Sequence, residues 1–383
     1  MISPDSTIGI LGGGQLGRMT VLAGRRMGYR FNIFEPNEGC SAGMVADLEV
    51  NAPYSDLTSL RYFSSQVDVV TLEFENIPVS AVEAIAEQVP LYPSGQVLYI
   101  CQHRQREKDF LAHSGFPCVP FKVVKSPQEL AAAVIQLGLP CVLKTASFGY
   151  DGKGQRKIDF IDEDFEVIWQ EFNSDVGVVE KWISFHGEYS VICAMNEKGE
   201  ESTFPMAENI HRNHILHSSI VPARIDLDKQ REAEDIAIQI AKKLDLVGLL
   251  AVEFFLTQDN EWLVNELAPR PHNSGHYSFD ACLTNQFEQH VRAVCGLPLG
   301  ATTLLSPIVM INLLGDLWDP DNPEWDIVLS DPTVKLHLYD KGTPRLGRKM
   351  GHFCVVDESI NTALRKAEGI FKALCGASNS NSC

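Results

Sequence analysis

The chain has 383 residues, 45% hydrophobic and 21% charged, the proportions of a globular protein with two or three cores rather than one. A formal charge of −18 argues against a general nucleic-acid or membrane-surface binder and leaves only a local basic pocket to hold phosphates. The first seven residues lack the basic start of a signal peptide, and the longest apolar stretch (244–256) is broken by Asp245 and Glu253, too polar to span a bilayer. Ten scattered cysteines without a Cys-x-x-Cys pair predict reduced thiols, a cytoplasmic location and no structural zinc.

In chain order, "TIGIL" reads as a strand, residues 15–27 as a helix, "RFNIFEP" and "VDVVTLEF" as strands, and residues 80–88 as a helix. That alternation predicts a parallel sheet with crossover helices. Gly12, Gly14 and Gly17 fit G-x-G-x-x-G between strand and helix, and Glu35 lies about where a ribose-binding acid would sit. A dinucleotide site is one reading; tight packing of a helix on its strand is the other. "TLEFENIP" puts Glu73 and Glu75 at a buried strand end, where α/β ligands gather or acids are simply solvated.

Residues 100–115 read as one charged helix, ended by the two prolines of "GFPCVPF". A smaller α/β unit follows, with a helix over Pro127–Leu137, the strand "PCVLKT" and the glycine-rich "SFGYDGKGQ". Lys144 interrupts that apolar strand, and a buried ammonium is costly unless an anion neutralises it. The loop over 149–154 offers backbone donors to a phosphate, although a plain hairpin turn has similar composition and the Walker spacing is absent. "VVEKWISFHGEYS" presents Glu180 after an apolar strand and Glu188 eight residues on. A strand edge suits adenine and a carboxylate suits ribose hydroxyls, whereas each acid taken singly is an ordinary surface group. Antiparallel hairpins over 188–223 precede a helix capped by Asp228 with Ile236, Ile240 and Leu244 on one face. His186, His211, His214 and His217 lack zinc spacing.

"VEFFLTQDNEWLVNEL" reads as a hairpin. A two-residue turn at Asp259-Asn260 pairs Phe255 with Val264 and Glu253 with Glu266. Opposed carboxylates repel, and a small, hard cation such as Mg²⁺ removes that penalty; a longer turn would instead send one glutamate to solvent. "NELAPRPHNSGH" then supplies Arg270, His272, Asn273, Ser274 and His276, a set suited to clamping a phosphate. After short strands in "SPIVMINLLG" and "TVKLHLYD", Lys341, Arg345, Arg348 and Lys349 form a basic cluster on an acidic chain, and a helix begins near Ser359.

Taken together and in order, "IGILGGGQLGRM", "TLEFENIP", "FGYDGKGQ", "VVEKWI", "NELAPRPHNSGHYSFDAC" and "KLHLYDKGTPRLGRKMGH" resemble the ATP-grasp superfamily, and within it the 5-(carboxyamino)imidazole ribonucleotide synthases. The resemblance implies an α/β chain with a Rossmann-like preATP-grasp domain (1–98) that does not bind NAD. It also implies an ATP-grasp domain (99–298) with a lid subdomain over about 115–178, and a small β-rich C-terminal domain (299–383). It places ATP on Arg104, Lys144, Gly149, Tyr150, Asp151, Gly152, Lys153, Gly154, Gln155, Glu180, Lys181, Trp182, Ile183, Glu188, His211, Asn265 and Glu266. Mg²⁺, with Mn²⁺ as a substitute, falls to Glu253 and Glu266. The ribonucleotide falls to Gln15, Leu16, Glu73, Arg270, His272, Asn273, Lys341 and Arg348, and the chemistry to Glu73, Tyr150, Asp151 and Lys153. The implied reaction carboxylates 5-aminoimidazole ribonucleotide with ATP and bicarbonate through carboxyphosphate, in a homodimer. The hairpin register turns Asn265 to the opposite face from this site, which a backbone contact or a bulge would reconcile. Two departures stand out: His214 and Asp340 occupy positions where glycine is usual in such chains.

Overall fold

The computed structural model describes residues 1–147, 154–318 and 321–378. Its first sheet has five parallel strands, β1 (Thr7–Leu11), β2 (Arg30–Phe34), β3 (Leu48–Val50), β4 (Val69–Leu72) and β5 (Leu91–Tyr92), in the order β3-β2-β1-β4-β5. Helices α1 (Gln15–Arg25), α2 (Leu57–Ser64) and α3 (Val79–Ala86) supply crossovers, as the strand–helix alternation predicts. β4 is buried at every position, which is why it reads as an unbroken apolar run apart from Thr71. The strand order reverses between β1 and β4, and the loops leaving their carboxyl ends carry Gly12 to Gly17 and Glu73.

The single charged helix expected over 100–115 is two helices, α4 (Gly95–Cys101) and α5 (Arg104–His113). The chain breaks at Gln102-His103 because His103 is extended (φ −139°) and the Arg104 N–H donates to Ala146 O at 2.7 Å, a tertiary bond invisible to local pattern. The second sheet is antiparallel: β6 (Phe121–Val124), β7 (Cys141–Thr145), β8 (Gln155–Ile158) and β9 (Gly177–Lys181), ordered β6-β9-β7-β8. It packs on α6 (Pro127–Leu137) and α7 (Phe165–Phe172). α6 starts where expected because Ser126 accepts the Glu129 N–H and Pro127 opens the first turn.

The third sheet has nine strands: β10 (Phe185–Met195), β11 (Glu201–Thr203), β12 (Ala207–Arg212), β13 (Ile215–Val221), β14 (Gly248–Thr257), β15 (Trp262–Ala268), β16 (Ile308–Leu314), β17 (Val334–Leu338) and β18 (Lys349–Val356). β16 pairs with β13, so the C-terminal strands continue the central sheet, and β18 begins in the basic cluster that sequence patterning did not read as a strand. Around it lie α8 (Leu227–Lys243), α9 (Ser278–Ala281), α10 (Gln286–Val294), α11 (Trp325–Leu329) and α12 (Ile360–Ser378). The N-cap of α8 is Asp226; Asp228, expected there, sits in the first turn, where its charge still complements the helix dipole.

The largest core cluster joins α8 to β10, β14 and β15 through Val191, Cys193, Ile240, Val252, Phe254 and Trp262. Phe254 meets Trp262 edge to face with centroids 5.6 Å apart. Burying such a side chain is worth about 1.5–3 kcal/mol, so the alternate positions Val252, Phe254 and Leu256 fix which face of β14 turns to solvent. Glu253 and Phe255 occupy that face. Asn213 and His214 close the β12–β13 hairpin at φ 49° and 64°, and Asp340 has φ 55°. Both departures from glycine therefore sit in left-handed backbone, which a larger side chain adopts only at a cost. Among the described cysteines eight are free; Cys375, buried on α12, is disulfide-bonded instead of reduced, a correction to the expectation, because a pairing of single cysteines far from any Cys-x-x-Cys motif leaves no mark in local spacing. Among the described residues no helix is long and apolar enough to cross a membrane.

Candidate active site

A cleft of about 1150 Å³ opens between the three sheets. Every described residue assigned above to ATP, metal or ribonucleotide lines it: Gln15, Leu16, Glu73, Arg104, Lys144, Gly154, Gln155, Glu180 to Ile183, Glu188, His211, Glu253, Asn265, Glu266, Arg270, His272, Asn273, Lys341 and Arg348. Gly149, Tyr150, Asp151, Gly152 and Lys153 lie outside the described residues.

The facing carboxylates are present, reached by a different route from the one the sequence suggests. The Thr257 N–H donates to Glu261 O, so the turn has three residues, closed by Asn260 at φ 62°. That shifts the register and pairs Phe255 with Leu263, not with Val264 as expected. A bulge at Asn265 then shifts it back, so Glu253 still faces Glu266. The bulge also turns Asn265 into the cleft, where its Nδ2 lies 3.5 Å from Glu253 Oε2 and its Oδ1 is buried without a partner. Burial, and then the neighbouring Glu266 charge, push the Glu253 carboxyl up to about 7. Two carboxylates and an orphaned amide oxygen form an all-oxygen donor set of the kind Mg²⁺ or Mn²⁺ takes.

Beside them is a buried ionic cluster centred on Glu180, which is only 1% exposed. Lys144 Nζ is 2.7 Å from its Oε2, with Lys108 Nζ and Arg104 each 3.7 Å from its Oε1. Burial alone would raise the Glu180 pKa, but these three cations overcome it and hold the carboxyl at about 2. Arg104 also reaches Glu266, at 3.5 Å. Glu180 alone is shared by three cations, and although Glu266 also meets Arg104, Lys144 and Arg104 present fixed N–H donors to the cleft, the groups a polyphosphate accepts from. Lys108 and Glu107 were absent from the sequence assignment. Their only signal was two adjacent charges in a helix with little apolar stripe, which ordinarily marks a solvated face.

The backbone of β9 is occupied by its neighbours, with Lys181 N–H on Pro120 O and Trp182 N–H on Pro140 O. The Trp182 ring lies beneath Lys157 at 4.7 Å. Phe185 and Phe255 stack with centroids 4.7 Å apart on the cleft wall, an apolar shelf for a flat ring that the sequence analysis did not single out. Glu188 Oε2 is 2.7 Å from His211 Nδ1.

At the switch point of the first sheet, Glu73 caps the glycine loop. Its oxygens accept from Gly14 N–H at 2.5 Å and Gly17 N–H at 3.0 Å, and Glu35 accepts from Gly13 N–H at 3.1 Å. A Cβ on Gly12 would come within 2.4 Å of Glu73 Cγ, and Gly12 has φ +104°, so glycine is required for this close approach. The donors that would cradle a dinucleotide phosphate are thus taken by the chain's own carboxylates. Burial raises the Glu73 pKa against the pull of those two N–H groups and of Lys341.

Arg270, expected to clamp a phosphate, places Nε and Nη2 on Glu75 at 2.5 and 3.1 Å, a bidentate pair that ties the strand end of β4 to the β15 turn. Glu75 was noted in the sequence but not assigned to the site. His272 Nε2 lies 3.4 Å from Glu253, and burial keeps its ring far below the usual histidine pKa, hence neutral. Both side-chain polar atoms of Asn273 are buried without partners. Lys341 stands over the Tyr339 ring at 5.6 Å, and Arg348 donates to Thr343 O.

Comparison with known proteins covers nearly the whole chain. Residues 5–102 match the ribonucleotide synthetase preATP-grasp domain, 109–287 the ATP-grasp domain, and 308–366 the phosphoribosylaminoimidazole carboxylase C-terminal domain. The N5-carboxyaminoimidazole ribonucleotide synthase of Bacillus subtilis (strain 168) is 47% identical over 356 residues, 92% of each chain. That of Brucella melitensis biotype 1 is 43% identical over 352 residues, 92% of this chain and 96% of its own. An ADP complex of an N5-carboxyaminoimidazole ribonucleotide synthetase superposes with TM-score 0.91 at 43% identity over 98% of this chain and 99% of that one. The Aspergillus clavatus enzyme, in complex with ADP and 5-aminoimidazole ribonucleotide, gives 0.89 at 29% identity over 97% and 98%. With the glycine loop closed by Glu73 and Glu35 and these matches spanning all three sheets, the chain belongs to the N5-carboxyaminoimidazole ribonucleotide synthase family, ATP-grasp ligases of purine biosynthesis.

Proposed function

We propose that this cleft joins ATP, bicarbonate and 5-aminoimidazole ribonucleotide to give the N5-carboxylated ribonucleotide, ADP and phosphate, in a cytoplasmic homodimer. The observation that carries the reading is the Glu253–Glu266 pair with Asn265 Oδ1, set beside the Lys144–Lys108–Arg104 cluster. An acidic oxygen donor set next to a cationic pocket is what a magnesium polyphosphate needs.

In this reading Lys144 and Arg104 bind the phosphates, Glu188 the ribose and the Phe185–Phe255 shelf the base. Glu253, Glu266 and Asn265 hold Mg²⁺ or Mn²⁺, which when bound neutralises phosphate oxygens during transfer. Bicarbonate oxygen attacks the γ-phosphorus and ADP leaves, converting a poor electrophile into carboxyphosphate. The ribonucleotide amine then attacks the carboxyl carbon, the C–O bond to phosphate breaks, and the amine loses a proton. Lys144 and Arg104 are fixed by Glu180 before substrate arrives, so no reorganisation is needed as charge moves. Glu73, whose buried carboxylate favours a proton, is a place for the amine proton to go. Asp151, with Tyr150 and Lys153, remains a candidate from the sequence. Lys341, Arg348 and Asn273 receive the ribonucleotide phosphate, with Gln15 and Leu16 at its flank and Arg270 acting through Glu75 to set the wall they share.

ADP release measured with each co-substrate omitted in turn tests the reading. Release must require bicarbonate and aminoimidazole ribonucleotide together. Dependence on formate instead, as in the formate-using glycinamide ribonucleotide transformylase, would overturn the substrate assignment, and nicotinamide binding would overturn the class.

A further inference from the structure

A three-residue turn and a regular ladder would pair Glu253 with Asn265 and turn Glu266 to the opposite face, because one residue of slip inverts a strand. Something must hold the bulge at Asn265. The two residues flanking Glu266 are each fixed through the backbone by a buried, ionisable side chain of α5. Lys108 Nζ donates to Asn265 O at 2.7 Å, and Glu107 Oε2 accepts from Leu267 N–H at 2.9 Å. Lys108 is 0% and Glu107 2% exposed. A buried ammonium is costly and stays only where partners repay it, while burial pushes the Glu107 carboxyl up to about 8, toward its neutral form. Here the partners are outward-facing main-chain groups of β15, the edge strand of its sheet, on either side of Glu266. Arg104, one turn earlier on the same helix face, meets the Glu266 carboxylate itself.

We propose that Glu107 and Lys108 are positioning residues that bracket Glu266, holding the bulge that turns its carboxylate toward Glu253. This rests on the reading of Glu253 and Glu266 as metal ligands. The test uses the full-length protein with two readouts other than turnover: hydrogen exchange over residues 264–268 without nucleotide, and Mn²⁺ binding in the presence of ADP followed by electron paramagnetic resonance. In Lys108→Met, loss of a charge-assisted hydrogen bond should speed exchange of that segment and weaken Mn²⁺ binding, each by roughly tenfold or more. Glu107→Leu should behave likewise, whereas Glu107→Gln, which keeps an acceptor for Leu267, should restore both to within about threefold of the wild-type values. That contrast holds even if Lys108→Met does not fold. Unchanged exchange in a folded Lys108→Met or Glu107→Leu, or equal defects in Glu107→Gln and Glu107→Leu, would overturn the bracket. Glu266→Gln separates the two failures. If it leaves Mn²⁺ binding intact, the metal reading is wrong; if it abolishes binding while the α5 variants do not, only the positioning role falls.

Discussion

Metal binding to this cleft should release a proton, and the amount is set by Glu253. Its carboxyl titrates at about 7, because burial and then the Glu266 charge oppose ionisation. Against the ordinary carboxylate value of 4.5, that displacement corresponds to roughly 3 kcal/mol withheld from the charged form in the empty cleft. A cation binds the charged form. Below pH 7 it must displace the proton, so affinity should rise nearly tenfold per unit up to pH ~7 and level off above. Calorimetry of Mn²⁺ binding with ADP, in buffers of differing ionisation enthalpy, counts the protons directly. After subtracting those lost by the metal–nucleotide in free solution, we expect about nine-tenths of a proton at pH 6 and about one-tenth at pH 8. Equal release at the two pH values would refute the reasoning, since it would mean that Glu253 and the cation do not compete for the same oxygens.

Glu266→Gln should lower turnover by about a hundredfold or more while leaving the thermal unfolding midpoint near that of the wild type; unchanged turnover would remove this residue from the metal site. Glu180→Leu strands the buried Lys108 and removes the partner of the half-buried Lys144 and Arg104, and should cost about 3–5 kcal/mol in urea denaturation; a loss below about 1 kcal/mol would show that solvent compensates them. Gly12→Ala should destabilise by more than Gly39→Ala. The two share positive φ, but only at Gly12 does a Cβ collide with Glu73 and Phe74, so equal losses of about 1 kcal/mol would mean that backbone strain alone is at work.

The facing carboxylates were legible because β14 alternates, placing Glu253 among outward positions, and because a hairpin of this length brings Glu266 opposite. Two differences offset each other, a turn one residue longer than expected and a bulge at Asn265, and neither leaves a local mark apart from Asn260. Lys144 was legible as a charge in an apolar strand. Its neighbours Glu107 and Lys108 were not, because a helix whose charged face is buried looks from its own residues like a solvated one; only the cluster at Glu180 and the edge of β15 at Asn265 and Leu267 explain it. The glycine loop was legible as a close approach, yet what approaches is Glu73 from a strand some sixty residues on, not a ligand. Arg270 reads from sequence as a bidentate clamp for a phosphate, and in the structure its guanidinium meets Glu75, which local pattern does not place beside it.

The bond between β13 and β16 makes the basic segment around Lys341 and Arg348, the cleft wall at Glu188 and His211, and the hairpin of Glu253 and Glu266 parts of one hydrogen-bonded framework. A cut near residue 300 would strip β13 of its neighbour and bare a row of main-chain donors and acceptors prone to aggregation. The last eighty residues are for that reason not an exchangeable module. Transplanting them would have to carry β13 as well, and with it the stretch of cleft wall at Ile215 and Leu216.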